Sequence, residues 1–174
     1  MAALASIIQA LPTEEAKAAP LISLIEVVEN DLNTAIRTLH QGNLEDSEIL
    51  GTSALQCLAS IGKGNDVVDV DSDGDEDDDS SATTNNFWTA QAGVEIQKRI
   101  VQCINIVEYL HNPGDAMDAA CAILRAGLKE TKPGPFVFPP EATVAFIDKA
   151  QITTPRIEAI IGTACSFVSN CSRK

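Results

Sequence analysis

Apolar residues recur at helical spacing along most of the chain and predict a series of amphipathic helices. The first run predicts a short helix over residues 2–11, which Pro12 ends. A longer pattern follows over residues 13–40, and Pro20 is expected either to kink this helix or to begin a new one. A Gln-Gly-Asn sequence then breaks the pattern, because glycine and asparagine favour turns.

The third helical pattern covers residues 46–61. Asp46 or Ser47 is its predicted N-cap, because a short polar side chain can accept a hydrogen bond from a backbone N–H group at the helix start. Gly62 lies where a glycine commonly ends a helix. The helix is therefore expected to stop there, just before the chain becomes strongly acidic.

Apolar spacing resumes in the second half of the chain. A long stripe predicts one helix that opens at Trp88, whose indole is interpreted as a packing anchor, and runs to His111. Asp115 is expected to cap the next helix, and residues 141–150 are expected to form a short one. Thr154, which precedes a proline, is expected to cap the last helix. The apolar stripe of that last helix comprises Ile157, Ile160, Ile161, Cys165 and Val168.

These patterns indicate an all-α fold of about seven helices, and no strand pattern competes with them. Each helix has one apolar stripe and needs neighbours to bury it. Periodicity leaves two architectures open, a compact helical bundle or an α-α superhelix in which helix pairs stack as HEAT- or ARM-like repeats. Both ends of the chain are apolar and lack an obvious polar cap, which favours a section of a longer solenoid.

Composition agrees with helix packing and narrows the class of partner. Hydrophobic residues make up 45% of the chain and aromatic residues only 4%, which favours helix packing over a β-sandwich. The formal net charge is −13, and this argues against nucleic-acid binding, which needs a clustered positive face. The same charge is compatible with basic protein partners.

The sequence carries no sign of secretion or membrane insertion. Its first residues lack the basic region of a signal peptide, and no apolar run approaches the roughly 18 residues of a membrane span. The five cysteines form no C-x-x-C pair and are expected to be buried free thiols in a reducing compartment. We therefore expect a soluble intracellular protein. The cysteines are Cys57, Cys103, Cys121, Cys165 and Cys171.

No catalytic or metal-binding constellation emerges from the sequence. It contains neither a nucleophile elbow nor a phosphate-binding loop, and His40 and His111 do not have metal-ligand spacing. Arg156 and Glu158 could line a concave face, although a solvated helix face is the simpler interpretation. We predict a non-enzymatic protein with no cofactor and no bound metal.

The most polar stretch covers residues 66–79 and reads DVVDVDSDGDEDDD. Nine of its fourteen residues are acidic and none is basic. Burying even one unpaired carboxylate costs several kcal/mol, so this stretch cannot belong to a packed core. We expect a single domain over residues 1–174 that a disordered acidic loop interrupts at about 64–86.

Four interpretations of this loop remain open. These interpretations are a solvated insertion, a docking surface for a basic partner, a SUMO-interacting motif and a calcium loop. For the motif, a short β-prone apolar core would add a strand to the edge of a partner's sheet, and Ser72 would be a phosphorylation site for an acid-directed kinase. The candidate partner-binding residues are Val67, Val68, Val70, Asp71, Asp73, Asp75, Glu76, Asp77, Asp78 and Asp79.

The calcium interpretation fails at defined positions. Asp69, Asp71 and Asp73 have the spacing of the first ligands of an EF-hand loop, and Gly74 has the position of its invariant glycine. The bidentate acid due at the end of the loop is instead Ser80. Specific calcium binding is therefore not expected.

Several strings resemble the importin-β (karyopherin-β) family, in the branch that contains importin-thirteen and transportin-SR. They are SALQCLASIGKG at 53–64, FWTAQAGVEIQKRIVQCI at 87–104, PGPFVFPPEATVAFI at 133–147 and IIQALPTEEAKAAPL at 7–21. The resemblance covers most of the chain except the acidic loop and aligns with the middle of those much longer receptors. The strings are typical of repeat packing and contain no catalytic motif.

The resemblance implies a HEAT-repeat solenoid that carries protein cargo through nuclear pores under control of the GTPase Ran. It implies residence in both nucleus and cytoplasm, and it implies that this chain is a fragment or a truncated form of such a receptor. The alternative is a HEAT-type scaffold or regulatory subunit with no link to Ran.

Overall fold

The computed structural model describes residues 1–64, 87–130 and 132–171. These residues form an all-α fold, and no strand occurs among them. Short 3₁₀ turns, Phe87–Thr89 and Asn105–Glu108, flank the fourth α-helix. The α-helices are α1 (Ala2–Gln9), α2 (Glu14–His40), α3 (Leu44–Gly64), α4 (Gln91–Ile104), α5 (Gly114–Ala126), α6 (Pro140–Asp148) and α7 (Ile157–Cys171).

Helix α2 continues through Pro20, so the predicted alternative of a new helix at this proline is wrong. Thr13 caps its start by accepting a hydrogen bond from the Ala16 N–H at 3.2 Å. Its end is a tight turn in which Gly42 adopts a φ of +83°. Glycine occupies this left-handed region without the Cβ penalty, which explains why the Gln-Gly-Asn sequence ends the helix.

Helix α3 begins earlier than predicted, and the predicted caps are wrong. Asn43 accepts a hydrogen bond from the Asp46 backbone N–H, so the capping side chain lies before the helix rather than inside its first turn. Ser47 is buried instead and donates to the Ala35 carbonyl at 2.9 Å. This bond holds α3 against the end of α2, within the hairpin that the two helices form.

Gly62 does not end α3, which continues to Gly64. A Cβ atom at Gly62 would lie 3.1 Å from the Ala126 Cβ and 3.2 Å from the Phe136 ring. The glycine therefore serves close packing between α3 and the end of α5 rather than a helix cap. The prediction that Gly62 ends the helix is therefore wrong.

The single long helix predicted from Trp88 to His111 is wrong at both ends. Trp88 lies in the 3₁₀ turn before α4, and a second 3₁₀ turn follows the helix. A Cβ at Gly93 would come within 2.4 Å of the Phe87 carbonyl oxygen, so this glycine lets the turn lie directly on α4. Trp88 is only 2% exposed, and the prediction of a packing anchor is confirmed.

Two more predicted caps are also wrong. Helix α5 begins at Gly114, one residue before Asp115, and has no capping side-chain hydrogen bond. Helix α7 begins at Ile157 rather than directly after Thr154. Arg156, just before α7, has a φ of +57°, which is the left-handed region that side chains rarely adopt.

The helices pack in a regular order around one apolar core. Helices α2 and α3 form a hairpin, and α6 packs on α7. Helix α3 lies between α1 and α5, α5 packs in turn on α7, and α4 packs on α2. The core contains mostly Ala, Leu and Ile side chains and the Trp88 indole.

The last helix buries only part of its predicted stripe. Ile160 is buried, but Ile161 is 56% exposed and Cys165 is also exposed. Thr163 is fully buried on the side that faces α5. The expectation that every cysteine is buried is therefore wrong for Cys165, and Cys57 is only partly buried. These two, Cys103 and Cys121 are free thiols.

Candidate functional site

The described residues form a groove of about 610 Å³ over the exposed face of α3. Glu48, Thr52 and Gln56 recur every four residues along this helix and form the floor of the groove. One wall is the segment that leads into α5, and the other is the end of the connection between α6 and α7. We call this feature the α3 groove. Its lining residues are Glu48, Ile49, Thr52, Ser53, Gln56, Asn112, Gly114, Asp115, Pro155 and Arg156.

The floor of the α3 groove combines hydrogen-bonding groups with one apolar contact. Ile49 is 60% exposed there and supplies the apolar contact. Thr52 and Ser53 offer hydroxyl groups, and Gln56 offers an amide, so both donors and acceptors are available. These groups can contact both polar and apolar side chains of another protein.

Arg156 forms part of one wall of the α3 groove. Its guanidinium lies 3.3 Å from the Asp115 carboxylate, 3.2 Å from Asp118 and 3.8 Å from Glu158. Asp115 and Asp118 belong to α5, so this arginine links the start of α7 to the helix beside it. The four side chains are about half exposed or more, and water screens these ion pairs strongly.

The opposite wall, which is the segment before α5, is held in place by a hydrogen bond to Glu48 on the floor of the groove. The Asn112 backbone N–H donates to the Glu48 carboxylate, and both residues line the groove. A carboxylate that accepts a backbone hydrogen bond fixes the position of the segment before α5 against α3. The shape of the groove therefore depends on its own lining residues.

Helix α4 joins α2 through a partly buried contact. Arg99 forms a bidentate pair with Glu29, at 2.9 Å from its Nε and 2.6 Å from a terminal nitrogen. This hydrogen bond raises the pKa of Arg99, against the effect of its partial burial. The Trp88 Nε1–H donates to a carboxylate oxygen of Glu14 at 2.5 Å. Two carboxylates of α2 thus hold the beginning and the middle of the α4 segment.

Each of the two buried cysteines lies at a contact between helices. Cys103 of α4 lies near Glu29 of α2, and Cys121 of α5 lies near Thr163 of α7. Burial, and secondarily the nearby Glu29 carboxylate, raises the pKa of the Cys103 thiol on α4 to about 12. Burial also raises the pKa of the Cys121 thiol on α5, while a hydrogen bond with Thr163 of α7 acts in the opposite direction. Both thiols are therefore protonated and unreactive while the helices stay packed.

A smaller cavity of about 200 Å³ lies where α4, α5 and α6 meet. Ile104, Leu124 and Phe146 line it from the three helices, and Lys149 lies at its edge. Lys149 also pairs with Glu108 at 2.5 Å on the surface. Packing is incomplete here, which distinguishes this region from the buried contact between α2 and α4.

The sequence-predicted binding residues cannot be placed in this site. Every candidate from Val67 to Asp79, including Ser72, lies outside the described residues, as does the predicted acidic loop. Of the charged residues weighed from sequence, Arg156 lies in the α3 groove and pairs with Glu158. His40 and His111 are both exposed, and the described part of the chain contains no cluster of metal-ligating side chains.

Sequence reasoning missed the α3 groove. The available signal was the polar face of α3, on which Glu48, Thr52 and Gln56 are four residues apart. The walls gave no such signal, because Asn112 and Arg156 come from separate connections that only the packing of the helices brings together.

Comparisons with known proteins identify no relative. No protein-family model matches the chain, and no curated protein or solved structure matches it. Within the described residues, no helix is both long and apolar enough to cross a membrane.

Proposed function

We propose that this chain is a non-enzymatic, protein-binding segment of a HEAT-like solenoid, and that it works in nuclear transport as part of a Ran-regulated receptor. The α3 groove is its contact surface for a protein partner. The packing order of the helices supports the solenoid, and the exposed mixture of polar and apolar groups in the groove supports protein binding.

The packing order is the observation that carries this proposal. Alternate helices α1, α3, α5 and α7 form one row of neighbours, while α2 and α4 pack on each other in a second row. In a stack of helix pairs, each repeat contacts mainly the next repeat, and this produces two such rows. A four-helix bundle would instead place all its helices around one common axis.

The family-like strings support the architecture more than the binding activity. Their apolar positions, such as Leu55, Ile100 and Phe136, are buried between helices. Residues that pack one repeat on the next are what a resemblance among solenoids would retain. The link to Ran and to cargo therefore rests on the resemblance itself.

Binding to Ran separates the transport receptor from the alternative, a HEAT-type scaffold unrelated to Ran. The full-length gene product would be immobilised and its protein partners bound, and then Ran loaded with a GTP analogue or with GDP would be added. Release of a partner by the GTP form alone supports the receptor. Binding that is insensitive to Ran in both forms supports the scaffold.

Substitution in the α3 groove tests whether this surface makes the contact. Thr52→Arg with Gln56→Arg fills the floor with two long charged side chains and should reduce partner binding at least tenfold. The matched control is Asn30→Arg with Asn33→Arg, because both asparagines are exposed on α2 away from the groove lining. Equal binding by the two variants contradicts a role for the groove.

The acidic segment is a separate proposed contact, for SUMO or for a basic protein. Replacing Val67, Val68 and Val70 by alanine removes the β-prone core but keeps every carboxylate. We expect loss of SUMO binding and retention of a partner held by charge alone. Unchanged SUMO binding rejects the motif.

A further inference from the structure

The helices α6 and α7 are attached to the rest of the described chain mainly along one side. Helix α7 packs on α5, whereas α4 and α6 share no extensive contact among the described residues. The cavity of about 200 Å³ lies between α4, α5 and α6. Unfilled space at a helix contact removes dispersion contacts from its lining and weakens the attachment.

Ion pairs at the surface also join the α6–α7 segment to the rest of the described chain. Arg156 reaches Asp115 and Asp118 on α5, and Lys149 of the α6 end reaches Glu108. Each of these side chains is about half exposed or more, so salt and water compete with the pairs. Arg156 holds them from a backbone with positive φ, which a non-glycine residue adopts only at some cost.

Displacing α6 and α7 would change two other features of the molecule. Pro155 and Arg156 form one wall of the α3 groove, so the groove would widen. Cys121 is fully buried with Thr163 of α7 within hydrogen-bonding reach, so its sulfur would become accessible. No comparable change is expected at Cys103, which lies on α4 and interacts with Glu29 and Arg99.

We propose that the α6–α7 pair is a movable wall of the α3 groove and that Arg156, through Asp115 and Asp118, is the latch that holds it closed. Conditions that weaken this latch open the groove and uncover Cys121 together. The consequence for partner binding rests on the proposed function of the groove, but the motion itself does not.

The native cysteines report on the latch in the full chain, so no cysteine has to be introduced. The protein would be alkylated with N-ethylmaleimide, and the rate at each cysteine would be measured by peptide mass spectrometry. Arg156→Gln should raise the alkylation rate of Cys121 roughly two- to fivefold, the range expected for exposed ion pairs. The rate at Cys103 should not change, and Lys98→Gln, which removes another exposed ion pair, should alter neither rate.

Salt provides a second test on the unaltered protein. Raising sodium chloride from about 0.02 M to about 1 M shortens the screening length and should accelerate alkylation of Cys121 in the wild type. The acceleration should be much smaller in Arg156→Gln, because the latch is already absent. Asp118→Asn should behave like Arg156→Gln, which covers the case in which one variant folds poorly.

The outcomes separate the latch from the function of the groove. A parallel rise at Cys103 and Cys121 indicates general loss of stability and overturns the latch, as does an unchanged rate at Cys121. If Cys121 responds as expected but groove substitutions leave partner binding intact, the latch stands and the proposed function fails. If both respond, Arg156→Gln should also change the affinity for the partner.

Discussion

Two contacts between helices in this chain are built differently. Between α2 and α4, a buried indole and a bidentate arginine pair lie over a packed apolar core. Where α6 and α7 meet the rest of the described chain, α7 packs on α5, and exposed ion pairs and a cavity border this contact. We call them the first and second junctions. The same residue types, arginine and carboxylate, thus occur in an enclosed and in an exposed setting.

Geometry and exposure to solvent decide how much an ion pair contributes to stability. Arg99 at the first junction meets Glu29 through two parallel hydrogen bonds with limited access to water. Arg156 at the second junction spreads its contacts over three carboxylates in open solvent. Bidentate geometry strengthens a pair, whereas exposure reduces its value to between 0 and about 1 kcal/mol. We therefore expect the first junction to be stable and the second to open.

The largest expected effect is at Trp88. Trp88→Ala removes a buried indole from the first junction and should lower the free energy of unfolding by about 3–5 kcal/mol in urea denaturation. Phe146→Ala is the matched change at the second junction, where the ring is half-buried beside a cavity, and should cost less than about 2 kcal/mol. Equal losses at the two sites would remove the energetic distinction between the junctions.

The paired arginines should give the next largest difference. Arg99→Met leaves the Glu29 carboxylate without its bidentate partner and should lower the free energy of unfolding by about 1–3 kcal/mol. Arg156→Met should lower it by less than about 1 kcal/mol. Urea denaturation in dilute buffer measures both, and a larger loss for Arg156→Met would contradict the assignment of the weaker junction.

The raised pKa of Cys103 gives the first junction a pH dependence. The unfolded thiol ionises near its ordinary value of 9.0, whereas the folded thiol keeps its proton until about pH 12. Between these values the native state binds more protons than the unfolded state, so stability falls as pH rises, by up to about 1.4 kcal/mol per pH unit from this group. Stability from this source is fully present below pH 9.0.

Cys103→Ala tests the pH dependence directly. The wild type and the variant would be unfolded in urea at several values between about pH 8 and pH 10.5, where the slopes and not the absolute stabilities are compared. The variant should lose less stability per pH unit than the wild type. Identical slopes would show that the thiol ionises as readily in the folded chain as in the unfolded chain.

The spacing of apolar residues predicted the positions of most helices, because each helix buries one apolar face. The all-α class and the positions of most helices followed from spacing alone, and Trp88 was recognised as a packing residue. Predictions of helix ends failed more often. Gly62 and Gly93 both serve close approach between elements, and a glycine that packs cannot be told from a glycine that turns until its neighbours are known.

The α3 groove was beyond sequence reasoning for a related reason. Its floor follows one helix face and could have been noticed, but Arg156 reaches it only because α7 packs on α5. Its backbone conformation also broke the expected pattern, since Thr154 and Pro155 predicted a helix start that occurs later. Long-range packing, not local preference, decides where such a side chain lies.

The smallest expected effect concerns Lys149 and Glu108, the other ion pair of the second junction. Both side chains are about half exposed, so Lys149→Met should change the free energy of unfolding by no more than about 0.5 kcal/mol. A double-mutant cycle with Glu108→Gln isolates the interaction from other effects of each substitution. The corresponding cycle with Arg99→Met and Glu29→Gln measures the first junction, and its coupling energy should be larger. If the Lys149 cycle gives the greater coupling, exposure has not weakened the second junction, and its opening must have another cause.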